Sequence, residues 1–254
     1  MTNLSVAFPE WDEEQKQSFL IKVYRHLILL IFEMIRLFSW NDTKVLEMVN
    51  TEEIESHLTR FDKGGILVSA HIGNWEVFAR ALSIKQFPLS VIMKRQKNEL
   101  INNMIEQWRN RVGMEIIYTK GALKKSLYKL KEGRIVTLLG DQDARSKGIF
   151  SDFFGRKSAT HVGAAILAWQ TDKPVIFGAG IRHQYGQYEA ISESVDVTLL
   201  KKQAGNDKDK FIQLFVDDYN RFLERIIRQY PDQYFWFHKK WKTNHPDDEK
   251  VNYG

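Results

Sequence analysis

The sequence predicts an α/β fold: a largely parallel central sheet flanked by helices, with an N-terminal amphipathic helical extension. Three observations predict it. From Gly64 onward, short β-like runs alternate with helical patterns, as in an α/β sandwich built on parallel strands. The 254 residues are 43% hydrophobic and 13% aromatic, enough to fill one large core. No internal repeat, low-complexity tract or clear linker divides the chain, so residues 1–254 are expected to form one domain, with 1–62 as the helical extension and 63–254 as the α/β body.

Residues 18–40 are the most apolar stretch. Leu20, Val23, Leu27, Leu30, Met34 and Leu37 recur at alternating steps of three and four, which lines them along one helix face. Lys22, Arg25, His26, Glu33 and Arg36 interrupt the stretch, and its longest apolar run, 27–32, is far short of the ~20 residues that cross a bilayer. The face is expected to pack against the body, while Leu29 and Phe32 make it broad enough to meet a membrane interface as well. Strands are expected over 66–70, 89–93, 115–118, 135–139 and 174–180, and helices over 75–84, 99–111, 122–131 and 160–171. Gly113 and Gly133 stand where helices stop. A further strand is read over 188–197 and an amphipathic helix over 209–230, closed by Pro231. The polar stretch 203–210 reads as a mobile surface loop.

Charge and composition narrow the function. Lys and Arg number 37 against 32 Asp and Glu, a net +5 that suits phosphates, acidic carriers, membrane surfaces or nucleic acid. The chain has no cysteine, which excludes disulfides, thiolate catalysis and cysteine-bound zinc. Residues 1–14 lack a secretory pattern, so the chain is expected to stay in the cytoplasm. A serine-hydrolase elbow, a phosphate loop, a dinucleotide turn and a His-Glu-x-x-His helix are all missing. No metal site or cofactor is expected.

The chemistry is read from strand ends. His71 follows the strand at 66–70, and Gly73-Asn74 breaks the chain before a helix that Asn74 can cap. On one continuous helix His71 and Glu76 would point about 140° apart. With His71 off the helix, the spacing lets the Glu76 carboxylate orient the imidazole. Asp141, Gln142 and Asp143 follow the strand at 135–139, and Lys94 and Arg95 follow that at 89–93. If these strands are parallel neighbours, all of them share one rim, where open α/β sheets gather ligands. Asp141 and Asp143 could equally cap a turn. Phe153, Phe154 and Gly155 precede a helix that Thr160 could cap, and the two rings are either core or the lining of an acyl channel. The aromatic and cationic stretch 234–242 could grip phosphates, bases or lipid headgroups, or be an edge strand with a basic tail. A base without a protein nucleophile suits direct attack of an acceptor hydroxyl on an activated carbonyl. A thioesterase and a basic lipid- or nucleic-acid-binding module stay open beside it.

His71-Ile-Gly-Asn-Trp-Glu76 resembles the His-x4-Asp/Glu signature of glycerolipid-type acyltransferases, in the form found in the bacterial lipid A biosynthesis (lauroyl/myristoyl) acyltransferase family. Asp141-Gln142-Asp143, then Phe153-Phe154-Gly155 with Thr160 and Gly163, then the stretch 233–243 resemble further family motifs in the family's order. The resemblance implies a glycerolipid-acyltransferase-like fold, with His71 as catalytic base and Glu76 as its partner. It implies substrate binding around Asn74, Lys94, Arg95, Asn98, Asp141, Gln142, Asp143, Phe153, Phe154, Gly155 and Thr160. The implied donor is a thioester on acyl carrier protein or coenzyme A. The implied acceptor is a hydroxyl of a membrane lipid at the cytoplasmic face of the bacterial inner membrane, met through an anionic surface, with no nucleic acid involved. The chain departs from the family where Lys94 replaces the arginine ahead of Asn98, with Arg95 alongside, and where Gly140 replaces a common proline. Many members also carry an N-terminal transmembrane helix, so the chain is expected to be peripheral or to lack such an anchor.

Overall fold

The computed structural model describes residues 1–183 and 186–253. The N-terminal segment holds α1 (Thr2–Ala7), α2 (Glu13–Leu37), α3 (Asp42–Met48), a two-residue strand β1 (Val49–Asn50) and α4 (Glu52–Leu58). Then β2 (Gly65–Ser69), α5 (Trp75–Ile84), β3 (Leu89–Met93), α6 (Glu99–Arg111), β4 (Glu115–Tyr118), α7 (Ala122–Lys131) and β5 (Ile135–Leu139) alternate as predicted. A hairpin of β6 (Ile149–Phe153) and β7 (Arg156–Thr160) follows. It leads to α8 (Gly163–Thr171), β8 (Val175–Arg182), β9 (Tyr188–Val195), α9 (Val197–Ala204) and α10 (Lys208–Gln229).

The main sheet runs β1-β9-β8-β2-β5-β3-β4. From β8 to β4 every pairing is parallel, whereas β9 runs antiparallel to β8. The strands buried on both faces read as unbroken apolar runs, which is why β2 and β5 were visible without alternation. One face packs under α8, α10 and the aromatic C-terminal segment, and takes Leu4, Ala7 and Phe8 of α1 and its exit into the same core. The opposite face packs under α3, α4 and α5. α10 buries Phe211, Phe215, Tyr219, Phe222 and Ile226 at helical spacing.

Several expectations are corrected. Thr160 ends a strand and does not cap a helix; it pairs with Ile149, and α8 begins three residues later. Phe154 and Gly155, at φ of 56° and 70°, make the two-residue turn with positive φ at both positions that suits a twisted hairpin. Most of 203–210 is helix end, with Gly205 in the left-handed conformation stopping α9. The stretch 234–242 is no edge strand: Tyr234, Trp236, Lys240 and Trp241 are buried. No helix among the described residues is long and apolar enough to cross a membrane.

Candidate active site

Strand register builds the site. β2 and β5 pair in parallel with Ser69 opposite Leu139, and the Gly140 N–H extends the ladder by donating to the Ser69 carbonyl at 3.0 Å. His71 and Asp141 each stand two residues beyond, so the ladder delivers them side by side. The His71 Nδ1–H donates to Asp141 Oδ1 at 2.9 Å. That bond leaves Nε2 as the unprotonated nitrogen of a neutral ring that lines a large cavity.

The carboxylate on the imidazole is therefore Asp141, where Glu76 was expected. Glu76 sits in the first turn of α5 and is drawn to α6, accepting from Arg109 Nη2 at 2.5 Å. Burial lowers the His71 pKa, but Asp141, with a smaller contribution from Glu76, outweighs it and leaves the pKa raised above 6.5. Burial pushes the Asp141 carboxyl up, yet His71, with His238 and Lys240 behind it, holds it well below the usual carboxylate range. Asp141 is thus charged, buried and available to stabilise an imidazolium.

The turn between His71 and α5 is held on all sides. Gly73 has φ of 60°, and its N–H donates to the Gln233 carbonyl at 3.1 Å. The Asn74 N–H donates to the Gly180 carbonyl at 3.0 Å, and the Asn74 side chain caps α5 by accepting from Val77 N at 3.1 Å. These amides are occupied, so the turn does not present them to a developing oxyanion, and Asn74 is buried behind the cavity.

α2 clamps the same turn. Asn74 Nδ2 donates to Glu33 Oε2 at 3.0 Å, and Arg182 donates to that same oxygen. The His26 Nε2–H donates to the Gly73 carbonyl at 3.2 Å, while its Nδ1 accepts from Arg182 at 3.3 Å. Burial, then the Arg182 charge, push His26 down to about 4. A lowered histidine pKa stabilises the fold above 6.5, and that stability is lost as pH falls towards 4 while the unfolded chain takes up the proton. The loss is about 3 kcal/mol. His71 acts in the opposite sense, its contribution fading as pH rises through its raised pKa, so the difference between parent and His26→Gln isolates His26. Urea midpoints should fall steeply from pH 6.5 to 4 in the parent and more weakly in the variant.

The cavity, about 960 Å³, lies on the sheet face that carries α5. Its floor is Leu67, Leu89, Val91 and Thr137. Ile31 and Ile35 of α2, Phe38 just past its end, and Met104 and Trp108 of α6 form its walls. His71, Glu76, Lys94, Gln142 and His161 supply polar groups along it. An apolar hollow of this size with a few convergent polar groups is the usual build of a small-molecule site.

Of the predicted residues, the site thus gathers His71, Glu76, Lys94, Asp141 and Gln142. Arg95 is exposed and paired with Glu99 at 2.9 Å. Asn98 caps α6, accepting from Leu100 N at 2.9 Å. Asp143 accepts from Thr243 Oγ1 at 3.0 Å and from Arg145 N at 3.2 Å. Phe153 and Phe154 are buried in the core on the opposite face with Trp236 and Trp241, so they do not line the cavity, and Gly155 is the exposed turn of that hairpin. Thr160 accepts from Asn220 Nδ2 at 3.2 Å. Sequence reasoning missed Arg109 and His161, and it misread Lys240, which burial pushes down to about 8 behind Asp141. The α2 and α6 walls were also missed, because helix periodicity reports a buried face but not a hollow beside it.

The family described as bacterial lipid A biosynthesis acyltransferase matches residues 1–243 of this sequence. The chain belongs to that family. Similar relatives include a lipid A biosynthesis palmitoleoyltransferase of Escherichia coli K12, 23% identical over 95% of this chain and 77% of its own length. A lauroyltransferase of lipid A biosynthesis from the same organism is 22% identical over the same shares. A phosphatidylinositol mannoside acyltransferase of Mycolicibacterium smegmatis is 22% identical over 87% of this chain and 72% of its own length. One family departure now has a physical reading in this acyltransferase. Gly140 makes the ladder bond to Ser69 that a proline could not, and a Cβ on it would stand 3.1 Å from the Tyr219 ring.

Proposed function

We propose that this acyltransferase moves a fatty acyl chain from a thioester of acyl carrier protein or coenzyme A to a hydroxyl of a membrane lipid, such as a lipid A precursor, at the cytoplasmic face of the bacterial inner membrane. The observation that carries the reading is the His71–Asp141 pair at the edge of a deep apolar cavity. An acyl chain occupies the hollow, which brings its thioester carbonyl to the histidine. Nε2 of His71 takes the proton from the acceptor hydroxyl as that oxygen bonds to the carbonyl carbon. Asp141 stabilises the imidazolium so formed. The C–S bond then breaks, the proton passes from Nε2 to the departing sulfur, and an ester and a free thiol leave with no acyl-enzyme formed. Lys94, on the cavity wall, is a cation available to the oxyanion, whereas Arg109 is paired with Glu76. Glu76 and Arg109 hold the first turn of α5 against the last turn of α6 beside the base.

Two relatives act on different lipids by their names, so the acceptor is to be found by trial. The chain is incubated with labelled acyl carrier protein thioester or acyl coenzyme A, and with lipid A precursor or a glycosylated phosphatidylinositol in mixed micelles. Mass spectrometry should find an acylated lipid and a donor loss that the acceptor accelerates. Donor loss that no lipid hydroxyl accelerates would make the chain a thioesterase, and no donor loss at all would end the acyl-transfer reading.

A further inference from the structure

The stretch 233–243 is pinned to the turn that carries the base. The Gly73 N–H donates to the Gln233 carbonyl at 3.1 Å, the Phe235 N–H donates to the His71 carbonyl at 2.9 Å, and Tyr234 stands between them, bridged to Ile72. The side chains of Tyr234 and Lys240 then gather behind Asp141. Each is 1% exposed, and Asp141 is 0% exposed. Asp141 gives its Oδ1 to His71, while its buried Oδ2 takes part in no well-formed hydrogen bond among the described residues. Leaving a buried acceptor without a donor is costly. The Tyr234 hydroxyl lies against this carboxylate, but its one hydrogen has two claimants. His238 donates its Nδ1–H to the Phe235 carbonyl at 2.8 Å, which leaves Nε2 as an acceptor 3.2 Å from the Tyr234 oxygen.

Lys240 supplies charge to the same place. Its Nζ has Thr160 Oγ1 at 3.5 Å and the Phe153 ring centroid at 5.1 Å for neighbours. Burying an ammonium with so few partners costs stability, and an apolar side chain would fill the space as well. Its place is explained by the carboxylates it faces, Asp141 and Asp143. The other groups around the dyad are committed elsewhere. Glu76 of α5 is paired with Arg109 of α6, the Tyr219 hydroxyl of α10 donates to the Ser69 carbonyl at 2.8 Å, and Asp143 accepts from Thr243 and Arg145. Burial first, and Lys240 among the charges, push His161 and His238 below 6.5, so Lys240 is the cation behind Asp141 at neutral pH. We propose that Lys240 and the Tyr234 hydroxyl are positioning residues for the base: from behind Asp141 they balance its charge and hold its free oxygen, and so set how tightly His71 keeps its proton. With either removed, Asp141 leans harder on the imidazolium, and His71 stays protonated, and idle as a base, to higher pH. That this base serves acyl transfer rests on the proposed function; the link from Lys240 and Tyr234 to His71 does not.

The test is the titration of His71 in the full chain without substrate, followed by NMR of isotope-labelled histidine, with its signal assigned by its loss in His71→Ala. Lys240→Met keeps the length of the side chain and removes the charge, and Tyr234→Phe removes one oxygen and leaves the ring. The His71 midpoint should rise by about one pH unit in Lys240→Met and by about half a unit in Tyr234→Phe. Below the midpoint kcat should fall about tenfold in Lys240→Met, since one unit of titration is a factor of ten in neutral ring. Well above it the rates of variant and parent should converge. A side chain that only packs would lower Tm or the rate at every pH without moving the midpoint. If Lys240→Met does not fold, Tyr234→Phe decides alone. A His71 midpoint that stays in place or falls in the folded variants overturns the inference. A midpoint that rises in a chain whose parent makes no acyl product leaves it standing and removes the proposed function.

Discussion

Asp141→Asn should lower acyl transfer by about 10³ to 10⁴-fold, the scale seen when the buried carboxylate behind a catalytic histidine loses its charge. The substitution preserves shape, so the fold should persist, and the loss should fall on kcat. The pH profile distinguishes this role from a structural one. In the parent the rate should rise with pH through the raised His71 pKa, a limb centred above 6.5, because only the neutral ring takes a proton. Without the Asp141 charge, burial is the main influence left, and the limb should move to lower pH. Glu76→Gln should shift the limb less, since Glu76 is the weakest of the influences that raise His71. His71→Ala should reduce the rate to background. An Asp141→Asn enzyme with the parent's rate and limb would mean that the carboxylate contact has no part in the chemistry.

Gly73→Ala should cost about 2–5 kcal/mol and abolish activity in whatever chain still folds. A non-glycine residue at this left-handed φ costs roughly 1–2 kcal/mol, and overpacking a rigid site adds about 1–3 more. The added Cβ would stand 1.9 Å from the Gly180 carbonyl oxygen, a backbone atom that β8 holds in the sheet. Relief would require moving the turn, and with it His71. Gly133→Ala is the matched control. Its φ is 80°, but nothing lies within 4 Å of the added carbon, so only the backbone cost remains. Denaturant midpoints of the two variants should separate clearly; equal midpoints would show that the Gly73 contact is not tight.

How much of this was legible before the fold depended on range. The apolar runs of β2, β3, β4 and β5 and the helix stripes of α5, α6 and α10 are local signals, and they place the elements within a residue or two. The shared rim of His71, Asp141 and Lys94 followed from strand ends alone, because parallel neighbours align their exits. What could not be read was which carboxylate the imidazole would choose. The spacing from His71 to Glu76 is a local number, while the pairing of His71 with Asp141 is set by the register of strands 70 residues apart. Glu76 pairs instead with Arg109 on α6, a partner that its position in the sequence does not reveal. The aromatic pair Phe153-Phe154 carried two readings, and its hairpin turn decided for the core. The stretch 234–242 looked like a surface grip because its cations are frequent, but burial is a tertiary property: Lys240 is enclosed, while Lys239 beside it is exposed.

The register that joins His71 to Asp141 has a consequence for how the chain acquires its activity. Neither residue can meet the other through local structure, and the intervening segment holds three helices, α5 to α7, and three strands, β3 to β5. The dyad therefore comes into being only when β2 and β5 close their long loop, a step that chain entropy makes slow. A slip of one residue would turn one of the two side chains to the far face of the sheet. On the proposed mechanism, collapsed or misregistered intermediates, however compact, should be inert, and the recovery of turnover during refolding should report when the centre of the sheet closes.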